Sequence, residues 1–91
     1  MKHTPGPWKI KHRPAFSVED NKERHIAMVS CYKELPGDEE ENLANAYLIA
    51  SAPELLDRLI QAIKIIEVLN KPNHKLFIHK TRQAIAKAEG R

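Results

Sequence analysis

"NAYLIASAPELLDRLIQAI", Asn45 to Ile63, decides the fold. It is helix-forming on both sides of a proline, and it carries more apolar residues than one buried face needs. Proline has no amide hydrogen and disfavours helical geometry at the residue before it, here Ala52. Ser51 followed three residues later by Glu54 has the form of a capping box, and proline is comfortable in a first helical turn. The stretch therefore predicts a joint: one helix ends near Ser51 and another begins at about Pro53. A single kinked helix is the alternative.

Upstream, "ELPGDEEEN" turns the chain at Pro36 and Gly37 and opens the first of these helices. Asp38 can cap it, and Glu39, Glu40 and Glu41 sit at the positive end of its dipole. Leu43, Tyr47 and Ala50 form its apolar stripe, widened by Ala46 and Ile49. Before that, the period shortens to two. "WKIKHR" alternates with Trp8, Ile10 and His12 on one side, and "AFSVED" with Phe16 and Val18. "DNKE" reads as a polar turn around Asn21. "HIAMVSCY" is apolar on both faces, which suits a central or covered strand. These segments predict a small antiparallel sheet of about three strands.

Downstream, the second helix runs from about Pro53 to Leu69. "NKPNH" breaks the chain, and a last helix from about Asn73 to Glu89 ends at Gly90. Its stripe is Phe77, Thr81, Ala84, Ile85 and Ala88. The fold class is thus α+β: an N-terminal antiparallel sheet followed by two to three C-terminal helices. Its 91 residues bound it to a single domain, 1–91, with a sheet part over 1–35 and a helical part over 38–90.

A stripe little over 100° wide suffices for an amphipathic helix. The second helix exceeds it. Leu55, Leu59, Ile63 and Ile66 can pack inward, which leaves Leu56, Ile60, Ile65 and Leu69 as candidates for an oligomer interface. A chain this short buries a modest fraction of its surface, and oligomerisation is a common remedy. A homodimer is the simplest closed form, with a higher homo-oligomer the alternative.

Net charge is +3, unevenly spread. Residues 1–33 carry +4, residues 34–57 carry −7 with no lysine or arginine, and residues 58–91 carry +6. Such zoning suits a solvated acidic helix start between basic surfaces, or complementary faces on neighbouring subunits or a partner. The one cysteine, Cys31, cannot form an internal disulfide and fits a reducing compartment. It reads as a buried, unreactive thiol on the third strand. No stretch has the length of a signal peptide core or a membrane span, so a cytoplasmic protein with no membrane association is expected.

No catalytic motif is present. The five histidines lack metal-ligand spacing: His74 and His79 are on different helix faces, and His3, His12 and His25 lie in or near separate sheet-forming segments. No metal, cofactor or catalytic residue is expected, and the chain reads as a non-enzyme. The late bases Lys75, Lys80 and Arg82, with Trp8, are the candidate ligand or partner surface. Poor aromatic interleaving there argues against nucleic-acid binding. Trp8 reads first as a side chain pinning the first strand to the helices.

Two stretches carry a family resemblance. His3 to Trp8, "HTPGPW", and Asn45 to Leu56, "NAYLIASAPELL", resemble short phage and prophage proteins that begin with a His-Thr-Pro-Gly-Pro-Trp-like segment. Those proteins later carry Asn-Ala-x-Leu-Ile-Ala-x-Ala-Pro-Glu-Leu-Leu, with Tyr47 and Ser51 at the variable places here. The resemblance covers roughly a fifth of the chain. It implies a phage-encoded accessory protein acting in a bacterial cytoplasm, and brings no activity with it. The expected function is a non-enzymatic interaction protein that binds and modulates a host or defence component. The alternatives are a nucleic-acid-binding accessory factor and an oligomeric sponge for a small anionic nucleotide signal.

Overall fold

The computed structural model describes residues 2–12, 16–29, 38–69 and 71–91. Three strands come first, β1 (Lys9–Lys11), β2 (Ser17–Glu19) and β3 (His25–Met28). The helices α1 (Asp38–Ala50), α2 (Ala52–Leu69) and α3 (Lys75–Ala88) follow, with one 3-10 turn, Pro72–His74, before α3. The strands form an antiparallel meander in the order β1-β2-β3. This is the α+β arrangement that the change of period from two to 3.6 implies.

The chain forms two compact units, Thr4–Glu54 and a second built on Leu55–Arg91. In the first, α1 packs against β1 and β2. Val18 and Ala46 are its fully covered apolar residues among those described. The middle strand is β2, and all three of its residues are buried. Of "HIAMVSCY", the described strand His25–Met28 is not the central one of the described sheet, and Ser30 to Tyr32 lie outside the described residues. In a meander the second strand is central, and β3 lies at the edge with Met28 exposed. Cys31 lies outside the described residues.

The β2–β3 turn is organised by Asp20. Its Oδ1 accepts the backbone N–H groups of Lys22 (2.8 Å) and Arg24 (2.9 Å), and its Oδ2 accepts Arg24 Nε–H at 2.8 Å. The Asp20 backbone adds two bonds across the turn, donating to the Arg24 carbonyl and accepting from Glu23 N–H. Glu23 takes a left-handed φ of 63°.

The joint falls at Ser51. Its N–H closes α1 on the Tyr47 carbonyl (3.0 Å), and α2 starts at the next residue. Pro53 then stands in the first turn of α2, where a missing N–H costs no helical bond. At the far end, Gly90 (φ 78°) donates to the Lys87 carbonyl, and Arg91 N–H donates to that of Ala86. This is the paired pattern of a Schellman stop.

In the second unit, Ile63 and Ile85 are buried, and an Arg82–Glu67 ion pair links α3 to α2. The inward faces keep Ile63, Ile66, Thr81 and Ile85 of the predicted stripes and are displaced by one residue elsewhere. On α2, Leu56, Ile60, Ile63 and Glu67 are the covered or half-covered side, with Ile66 beside them, while Leu55 and Leu59 are exposed. On α3 the inward line is Ile78, Thr81 and Ile85, leaving Phe77 and Ala84 exposed. Both helices carry two adjacent apolar stripes. A period of about 3.6 residues detects a stripe but does not rank two of them.

Candidate functional site

Each unit presents a concave surface. In the first unit a cleft of about 340 Å³ is bounded by Pro7, Trp8 and Ile10 on one side and by Tyr47, Pro53 and Glu54 on the other. "HTPGPW" and "NAYLIASAPELL", far apart in sequence, are thus neighbours in the fold. Trp8 is half-buried, and its Nε1–H donates to the Thr4 carbonyl at 3.1 Å. The indole is held by its own segment while it walls the cleft.

The same two segments interlock at Gly6. A Cβ there would stand 3.1 Å from Pro53 Cβ and 3.4 Å from its Cγ. Gly6→Val is expected to destabilise the first unit. Overpacking costs about 1–3 kcal/mol and outweighs the roughly 0.4–1 kcal/mol gained by restricting the unfolded chain. The measurement is the thermal midpoint, expected to fall by several degrees. An unchanged midpoint would show that this approach can relax freely.

In the second unit a shallow groove of about 500 Å³ runs between α2 and α3. Leu59, Leu76, Phe77 and Ala84 supply its apolar floor, and Lys80 its basic rim. Of the predicted surface bases, Lys80 lines this groove, Lys75 is exposed, and Arg82 is engaged by Glu67. Trp8 belongs to the other unit.

The four residues expected at an oligomer interface do not share one face. Leu56 and Ile60 lie half-covered on the inward side. Ile65 and Leu69, each nine positions from one of them, lie on the opposite side and are exposed, together with Val68 at 83%.

Titratable groups gather around the end of β2. Glu19, nearly buried, faces Lys11 Nζ at 4.0 Å and His25 Nε2 at 3.6 Å from the flanking strands. Asp20 is held below the usual carboxylate range. The Arg24 N–H is the largest cause, burial opposes it, and the Lys22 N–H and the Arg24 guanidinium assist. These contacts tie strands and turn together, and the Asp20 node was not legible as more than a polar turn. His12 packs edge-on to Phe16 with ring centroids 5.7 Å apart. Among the described residues no group of three or more His, Cys, Asp or Glu is placed to hold a metal ion. No helix there is long and apolar enough to cross a membrane.

The chain belongs to a phage protein family. It is a member of the family of Salmonella phage P22 protein Y8K6, whose model matches residues 1–91. No curated protein and no solved structure matches the chain.

Proposed function

We propose that this phage-family protein is a non-enzymatic accessory factor that works by binding a host or defence protein in the bacterial cytoplasm, and that it also self-associates. One observation carries the reading. Among the described residues the buried apolar side chains are Val18, Ala46, Pro53, Ile63 and Ile85, whereas ten large apolar ones are exposed. A chain that leaves so much apolar surface in water has surface to cover by association.

The patch assigned to the host partner is Ile65, Val68 and Leu69, contiguous at i, i+3 and i+4 on the outer side of α2. The test begins with affinity capture from a bacterial host, followed by reconstitution with the purified captured protein. Ile65→Glu with Leu69→Glu is expected to weaken that direct binding by about tenfold or more while leaving the helical signal unchanged. Equal binding by the variant would remove the patch from the proposal. A chain that instead recovers nucleic acid or a nucleotide would replace the reading with one of the alternatives.

A further inference from the structure

We infer that the groove between α2 and α3 is the seat of the outer side of α1 from a second copy of this chain, so that each copy docks its α1 on the other's groove. This rests on the self-association in the preceding reading and names its two surfaces. The groove's apolar floor and basic rim suit an occupant with an apolar stripe flanked by acids. Its floor is Leu76 and Phe77, 64% and 47% exposed, beside Leu59. Its basic rim belongs to a helix with four bases, Lys75, Lys80, Arg82 and Lys87, and no acid.

Helix α1 has the complementary chemistry. It holds four acids, Asp38 to Glu41, and no base. Its inner side, with Ala46 covered, packs on the sheet. Its outer side, Ala44, Tyr47 and Leu48, is exposed, Leu48 at 64%. Acidic residues at the start of one helix and basic residues along the other make matched contacts favourable and like-charged contacts unfavourable. A two-fold axis repeats each contact, which closes the pair as a dimer rather than an open chain.

Charge reversal tests both surfaces together. Glu40→Lys with Glu41→Lys reverses α1. Lys80→Glu with Lys87→Glu reverses the groove side, since these two lie seven residues apart on one helical line. The native protein is expected to have twice the 10.4 kDa chain mass by light scattering at tens of micromolar and low salt. Each reversed chain alone is expected to be a monomer. Their equimolar mixture is expected to recover the dimer, because both contacts of the mixed pair are again between opposite charges.

A second measurement reports proximity, in a Cys31→Ser background. A Leu48→Cys chain and a differently tagged Leu76→Cys chain are expected to form a mixed disulfide when combined. A native monomer, a dimer insensitive to both reversals, or cross-linking confined to a single chain carrying both cysteines would each overturn the inference. The Ile65→Glu, Leu69→Glu variant separates the two proposals, since it is expected to lose the host partner and keep this dimer.

Discussion

Replacing Ile63 with alanine is expected to destabilise the α2–α3 unit by about 2–5 kcal/mol. Ile63 is fully buried in the middle of α2, so truncation removes buried methyl groups and leaves a cavity that its surroundings refill only in part. Small domains have roughly 5–15 kcal/mol of total stability, and a loss of this size takes a large share of it. Urea unfolding followed by far-ultraviolet circular dichroism is the measurement. With a urea slope of about 1 kcal/mol per molar, the midpoint is expected to fall by about 2 molar or more, or the folded baseline to disappear. Ile65→Ala is the internal comparison. Its side chain is 65% exposed, and the change is expected to stay within about 0.5 kcal/mol. Equal losses at the two positions would show that α2 does not turn its Ile63 face inward.

That comparison isolates what periodicity leaves open. The joint at Ser51 is legible because proline chemistry is local: a missing N–H and a restricted preceding residue act within one turn. The stop at Gly90 is legible for the same reason. The three strands follow from alternation at Ile10, Val18 and the Ile26 region, which needs no knowledge of neighbours. The inward faces of α2 and α3 are another matter. Leu55-Leu59 and Leu56-Ile60 are adjacent stripes of comparable hydrophobicity, as are Phe77-Ala84 and Ile78-Ile85. The choice between them depends on how two helices pack against each other, a pairwise property absent from either helix alone. Strand order is likewise a tertiary property, so the apolar β3 is at an edge while the polar Ser17, Glu19 and Asp20 are buried. The Trp8 cleft belongs to the same class. Both segments that line it stand out in the sequence, but their meeting at Gly6 and Pro53 is a product of the fold.

Asp20→Ala is expected to unravel the β2–β3 turn, because one carboxylate serves three donors. Without it the N–H groups of Lys22 and Arg24 lose their acceptor, and the Arg24 guanidinium loses its anchor. Strands of three and four residues have few ladder bonds with which to compensate. Asp20→Asn is the discriminating variant. Its side-chain oxygen can still accept both backbone N–H groups, while the ionisable group and the charge opposite Arg24 are gone.

The acid limb of stability separates these contributions. The folded-state pKa of Asp20 lies below its ordinary value of 3.8, first through the Arg24 backbone N–H. A depressed carboxyl contributes stability that is fully present above its unfolded value and lost as pH falls through its folded value. The native protein is therefore expected to lose this contribution progressively below pH 3.8, as Asp20 takes up a proton and its acceptor strength falls. Asp20→Asn is expected to be less stable than native at neutral pH and to show a shallower acid limb. Asp20→Ala is expected to be the least stable of the three, with fast amide exchange at Lys22 and Arg24. Hydrogen exchange by nuclear magnetic resonance reads the turn directly, and thermal midpoints between pH 2 and 7 read the linkage. Slow exchange at both amides in Asp20→Ala, with a native acid limb, would mean that strand pairing alone holds the hairpin and that the carboxylate merely decorates it.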